Sequence, residues 1–208
     1  MPQLITFEGI EGSGKSTHAR LLGDHLRALG WDPLVTHEPG GTPLGEPIRR
    51  LVLEVDSAPI TPLAELLLYC ADRAQHVDQV IRPALAAGRP VICDRFSDST
   101  IAYQGHGRGL DLQAVCTIDD HARGGLTAAL TFVFDCPAAE GLARARRRTG
   151  APDRIEGAPL AFHERVRQGF LALAALRPER YCVLDSTLTI DEIQRHVRLR
   201  ALERLGTR

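Results

Sequence analysis

Apolar residues in this chain come in short uninterrupted runs, and between the runs they recur at helical spacing. Leu4–Glu8, Leu34–His37, "RPVICDR" (Arg89–Arg95), Leu130–Cys136 and Tyr181–Leu184 are too short for helices. They are also too uniformly apolar for strands with one wet face, so each predicts a strand covered on both sides. Helical periodicity predicts helices over Gly14–Leu29, Pro43–Val55, Pro62–Ala87, Ser97–Gln104, Leu112–Ala122, Glu140–Arg148, Leu160–Leu176 and Ile190–Leu205. Gly30 and Gly88 close the first and third of these. Strands alternating with helices imply an α/β fold: a three-layer, doubly wound sheet of about five parallel strands with helices on both faces. No repeat, low-complexity tract or long linker divides the chain, so residues 1–208 read as one domain. The Gly/Pro-rich stretch Thr149–Pro159, after a crowd of arginines, is the expected mobile segment.

Between the first strand and the first helix lies "FEGIEGSGKSTHA". Gly9-Ile10-Glu11-Gly12-Ser13-Gly14-Lys15-Ser16, followed by Thr17, fits G-x-x-x-x-G-K-[ST] in the strand-to-helix context that the motif requires. Its glycines permit backbone geometry that turns N–H groups inward on a phosphate at the positive end of a helix. Lys15 can reach the β- and γ-phosphates, and the Ser16 hydroxyl can ligate Mg²⁺. The stretch therefore predicts a P-loop NTPase-type fold that holds a nucleoside triphosphate. The fate of that triphosphate stays open, because switches, motors and kinases share the motif. An N-K-x-D segment that would read guanine is absent.

Ligands of open α/β sheets sit beyond the carboxyl ends of the strands. Glu38 ends the second strand in "HEPGGTPLG", and Asp94 ends the third in "CDRFSDSTIAYQG". Asp94 is placed to serve Mg²⁺ or its waters, and Arg95 to clamp a phosphate with both arms of its fork. Tyr69 and Arg73, four apart in "LLYCADRAQHV", share a helix face. The arginine run Arg144, Arg146, Arg147 and Arg148 precedes "APDRIE", where a closing lid would neutralise charge during transfer.

Composition narrows the field. A net charge of −1 gives no field that would draw the chain to nucleic acid or a membrane. No apolar run approaches the ~18 residues of a membrane span, and no signal-peptide pattern precedes the first strand. Five scattered cysteines without zinc or CxxC spacing are expected to be free thiols in a reducing cytoplasm.

"FEGIEGSGKST", "EPGGT", "ADRAQHV", "DRFSDSTIAYQG" and "DRIE" together resemble the bacterial thymidylate kinases, which phosphorylate dTMP with ATP, over nearly the whole chain. The resemblance implies that Gly9–Thr17 and Arg144 bind ATP, with Lys15 acting in catalysis, and that Ser16 and Asp94 serve the metal. It implies that Asp94 sits near the phosphates and Arg95 holds the acceptor's phosphate, with Arg49 as a second anchor and Glu38 on the acceptor and metal side. Tyr69 would stack on thymine, where many relatives carry phenylalanine, and Arg73 would bond its carbonyl. Ser99, Thr100 and Gln104 would bond around the base, and Tyr103 would pack under the deoxyribose. "DSTLTID" (Asp185–Asp191) would lie beside adenine, and Asp153 and Glu156 would belong to a lid at about 144–158. The phosphate loop carries no arginine, so the chain resembles members that take the transfer-assisting arginine from the lid. The spacing from the arginine run to Asp153 departs from the family pattern. Arg144, Arg147 and Arg148 stay open for that role, with Arg148 the first choice. A homodimer is implied as well. The alternative expectations are a kinase for another nucleoside monophosphate, or a P-loop switch without an acceptor.

Overall fold

A computed structural model of the chain describes residues 3–55 and 59–206, with the Thr149 side chain excepted. Met1 and Pro2, which enter the reading of the chain's start, lie outside the described residues. Five strands form one all-parallel sheet: β1 (Leu4–Gly9), β2 (Leu34–His37), β3 (Val91–Asp94), β4 (Leu130–Asp135) and β5 (Tyr181–Asp185), in the order β2-β3-β1-β4-β5. The helices are α1 (Lys15–Ala28), α2 (Gly45–Leu53), α3 (Pro62–His76), α4 (Arg82–Ala86), α5 (Ser97–Thr100), α6 (Leu112–Arg123), α7 (Ala138–Thr149), α8 (Leu160–Leu176) and α9 (Ile190–Leu205). The α/β alternation predicts this architecture well, but it carries no information on the order of the strands.

Two helical expectations meet a difference. The helix expected over Pro62–Ala87 widens into a π-helical segment at Val77–Ile81 before α4. Pro83 is the reason: its nitrogen cannot donate, and its ring crowds the carbonyl one turn back, so the backbone widens ahead of it. Ser97–Gln104 is likewise split into the short α5 and a π-helical segment at Ile101–Gly107, which carries Tyr103 and Gln104. π-segments of this kind often accompany functional side chains.

Residues of β1 alternate between the two faces of the sheet, as pleating requires. Ile5 and Phe7 join Leu22 and Leu26 of α1, Phe132 and Phe134 of β4, and Ile193 and Val197 of α9 in one apolar cluster. Thr6 and Glu8 face the other way and are fully buried with polar partners. On that second face, α8 packs Phe162, Val166 and Phe170 against Ile10, Tyr103 and Val133. Each buried side chain of this kind contributes ~1.5–3 kcal/mol. Among the described residues no helix is long and apolar enough to cross a membrane.

Register brings the strand tips level. Phe7 and His37 both stand opposite Asp94, Arg95 donates its N–H to Phe7 (2.9 Å), and Glu38 donates its N–H to the Asp94 carbonyl (3.0 Å). Glu38, Asp94 and Arg95 thus meet beside the loop that leaves β1.

Candidate active site

The phosphate loop runs from Gly9 to the first turn of α1. Gly12 takes a φ of 68° and Gly14 a φ of 95°, the left-handed geometry open to glycine. A β-carbon on Gly12 would also lie 1.9 Å from the Gly141 carbonyl of α7, so the position excludes any side chain. Lys15, the only lysine in the chain, is buried and donates to the Ile10 carbonyl at 3.0 Å. Burial and the nearby Arg95 charge bring its ammonium down to about 8, against the opposing pull of Asp94, Glu11 and Glu8.

The loop opens into a cavity of about 450 Å³. Glu11, Gly12, Gly14, Lys15, Ser16 and Thr17 line one side of it. Glu38, Arg49, Tyr69, Arg73, Asp94, Arg95, Ser99, Thr100, Tyr103 and Gln104 line the rest, and Arg148 closes its rim beside Asp153 and Glu156. Gly9, Ile10 and Ser13 belong to the loop but stand behind this surface. Arg144 stays outside the cavity as well. It pairs with Glu140 and donates to the Ser186 carbonyl at 2.9 Å, which places it against the 185–191 segment. Of the arginine run, Arg148 is the member that lines the cavity.

Arg95 is the centre of the constellation. Among the described residues it is the one non-glycine with a positive φ, 70°, a strained setting that costs ~1–2 kcal/mol. That backbone aims the guanidinium back over the loop. One arm donates to the Gly9 carbonyl (2.9 Å) and the Ser99 hydroxyl (3.1 Å), the other to Glu11 (2.9 Å) and the Tyr103 hydroxyl (3.1 Å), while the Tyr103 ring lies 5.0 Å beneath. Glu8 holds the turn from below: it accepts from the Phe96 N–H at 2.8 Å and the Ser99 hydroxyl at 2.6 Å. Burial and the Asp98 carboxylate push the Glu8 carboxyl up to about 8.

Burial alone would push Glu11 up too. The approach of His163 (Nδ1 3.2 Å from Glu11 Oε2) and the charges of Arg95 and Lys15 outweigh it and hold Glu11 down at about 2. Glu11, itself a member of the loop, therefore stays a carboxylate opposed by the Arg95 and Lys15 charges.

Glu38 is fixed from two directions, by Arg73 Nε at 2.9 Å and by His76 Nδ1 at 2.8 Å. His76 is itself tied to the Thr36 hydroxyl. Arg73 spends one arm on Thr100 (2.7 Å) and Asp119 (2.6 Å), is 2% exposed, and still lines the cavity. Arg49 donates to the Pro39 carbonyl at 2.9 Å. Asp94 keeps one carboxylate oxygen, Oδ1, buried and without a hydrogen-bond partner. An acceptor orphaned in this way beside an anion site suits a cation.

The arrangement offers two anion-binding halves facing each other across one cavity: a loop with a helix N-terminus and a lysine, and a cluster of arginines with an aromatic shelf. A family model described as "Thymidylate kinase" matches residues 7–197.

The chain belongs to the thymidylate kinase family.

Relatives agree with that membership. The chain is 51% identical over 193 residues to a thymidylate kinase of Geobacter sp. (strain M21), covering 90% of this chain and 86% of that one. It is 52% identical over 193 residues to a thymidylate kinase of Deinococcus radiodurans, covering 93% of each. A crystal structure of thymidylate kinase from Ehrlichia chaffeensis superposes with a TM-score of 0.76 at 33% identity, covering 99% of both chains.

Several residues that brace the cavity of this thymidylate kinase family member are given no role by the sequence, although Glu8 and Arg154 lie inside quoted motifs. Glu8, Glu65, Asp119, Arg154 and His163 are buried or half-buried partners of cavity residues. Their local signals are a strand glutamate, helix acids, a lid arginine and a helix histidine, all of which also fit ordinary surface positions.

Proposed function

We propose that this chain transfers the γ-phosphoryl group of ATP to dTMP, giving dTDP and ADP. Membership of the thymidylate kinase family supports the reaction, and one observation carries the assignment of parts: the phosphate loop and the arginine cluster line the same cavity. ATP takes the loop half, with backbone N–H groups of Gly9–Thr17 and the Lys15 ammonium on its phosphates. Its base extends toward Arg144 and the 185–191 segment. dTMP takes the other half, with Arg95 and Arg49 on its phosphate, Tyr69 on the ring face, and Arg73, Thr100 and Gln104 on the ring edge. Ser99 braces Arg95, and Tyr103 sits below the sugar.

Transfer between two phosphates needs positioning and charge neutralisation more than a base. Arg95 is pre-aimed by its strained backbone and four hydrogen-bond partners. Arg148, at the rim beside Glu156 (3.9 Å), is the lid arginine that reaches the transferring group. Closure of the 144–158 lid excludes water. Asp94 Oδ1 and the Ser16 hydroxyl fit a divalent ion, Mg²⁺, which when bound supplies charge neutralisation on the ATP phosphates. Glu38 stands on the acceptor side of that ion. The chain works in the cytoplasm as a homodimer, for which the exposed Leu63 and Leu67 of α3 and Leu112 of α6 offer an apolar face on two helices that pack together.

ADP release with ATP and Mg²⁺ across dTMP, dUMP, UMP, CMP, AMP and GMP tests the reading. A dTMP-selective rate far above the acceptor-free blank is expected. Equal rates with and without acceptor would make the chain an ATPase and overturn it.

ATP affinity is also expected to fall as pH rises through about 8. Burial and Arg95 hold the Lys15 ammonium near that value, and a bound polyphosphate favours the charged form. Binding then takes up a proton around pH 8. Calorimetry of ATP binding in two buffers of different ionisation enthalpy reads this directly. Proton release, or no linkage between pH 7 and 9, would remove Lys15 from the phosphate contacts.

A further inference from the structure

Glu65, on the first turns of α3, is 1% exposed and is used by none of the steps above. Its carboxylate gathers four donors. Gln104 Nε2 donates to Oε1 at 2.8 Å, and Arg108 bridges both oxygens at 3.1 and 3.0 Å. Arg154, from the "DRIE" segment, donates to Oε2 at 2.6 Å. Arg154 is itself pinned: its Nε donates to the Val52 carbonyl at 2.8 Å, and its backbone N–H to the Leu53 carbonyl at 2.9 Å. Burial pushes the Glu65 carboxyl up, but hydrogen bonds from Arg108, Gln104 and Arg154 outweigh it and keep the group ionised.

An ionised carboxylate only accepts hydrogen bonds, so the face of the Gln104 amide turned to Glu65 has to be the NH₂. Two guanidiniums clamp the carboxylate and stop it from turning away. Gln104 also lines the cavity. With its nitrogen committed, its carbonyl oxygen is the group left for a ligand. Across the cavity, Arg73 has Nε on Glu38 and Nη1 on Thr100 and Asp119, so Nη2, a donor, is left on that side. Arg73 and Gln104 therefore offer the ring edge one donor and one acceptor of fixed polarity, beside the Thr100 hydroxyl. Thymine and uracil present a carbonyl oxygen and an N3–H, which match. Cytosine presents an amino group and a bare N3, reversed at both places.

We propose that Glu65 is a positioning residue that sets the polarity of the Gln104 amide, and thereby selects a pyrimidine ring carrying N3–H over cytosine. The proposal rests on the acceptor half of the cavity holding a pyrimidine monophosphate, as described under Proposed function.

The test is the ratio of kcat/KM for dTMP to that for dCMP, with ATP and Mg²⁺. It is measured in the wild type, in Glu65→Gln, and in the exchange variant Glu65→Gln/Gln104→Glu. Melting temperature and ATP Kd accompany each as checks on the fold. An amide at 65 presents either a donor or an acceptor, so Gln104 is free to turn over. The ratio is then expected to fall about 10- to 100-fold in Glu65→Gln, mainly through better use of dCMP relative to dTMP. In the exchange variant a carboxylate at 104 again offers an acceptor to N3–H, and most of the ratio is expected to return. A proportional loss with both substrates, the ratio unchanged, would make Glu65 purely structural and overturn the proposal. If Glu65→Gln does not fold, the exchange variant decides alone. Retained dTMP preference supports the proposal, and preference for dCMP or none overturns it. A wild type that does not distinguish dTMP from dCMP would instead bring down the pyrimidine reading of the cavity, so the two failures are separable.

Discussion

Lys15→Ala is expected to lower kcat by about 10²- to 10³-fold, the usual cost of removing one preorganised charge from a transfer site. Stability should not track activity down. The Lys15 ammonium is held near 8, below its ordinary 10.5, by burial and Arg95. A lysine with a depressed value binds its proton less tightly folded than unfolded. It therefore opposes folding at every pH below about 8, and that penalty fades as pH rises through 8 toward 10.5. Alanine removes the penalty, so the melting temperature at pH 7 is expected to stay level or rise while turnover collapses. Steady-state kinetics beside a thermal melt checks both halves. A sharp drop in melting temperature would mean that the loop needs Lys15 for its own shape, through the Ile10 carbonyl.

Arg95→Ala should lower kcat/KM for dTMP by about 10³-fold or more with ATP affinity largely kept, if the arginine serves the acceptor as proposed above. It also strips Glu11 of a buried counter-charge, so the melting temperature is expected to fall. Arg95→Lys separates charge from shape. A lysine cannot reach the Gly9 carbonyl, Ser99, Glu11 and Tyr103 together from one backbone position, as the forked guanidinium does. Recovery by lysine is expected to stay within about tenfold of alanine. Near-wild-type rates in Arg95→Lys would show that a positive charge alone suffices, and the geometric account of this residue would fail.

Lys15 and Arg95 are readable from sequence because each sits at a punctuation point. Lys15 comes after glycines between a strand and a helix, and Asp94 and Arg95 come after an apolar strand that stops abruptly. Glu38 precedes Pro-Gly-Gly at a strand tip. Their positions obey local rules, and the parallel sheet then brings them together. Glu65 has no such mark. Between leucines in "PLAELLLY" it reads as a helix acid facing water, and its partners Gln104, Arg108 and Arg154 come from two other parts of the chain. His163 in "FHERV" and Glu8 inside a strand are hidden for the same reason: burial decides their chemistry, and burial depends on contacts distant in sequence. The π-segment before Pro83 is an intermediate case. The proline signals a disturbance, but a widened helix and a broken one carry the same local pattern.

The chain's positive charge is carried by arginine everywhere except at Lys15. Its outer surface therefore bears no side-chain amine, and reagents that couple to amines meet their one side-chain target inside the phosphate loop. Tethering the protein through its lysine would anchor it by the phosphate-binding pocket itself. Attachment through the exposed thiol of Cys116, on α6, leaves that pocket open.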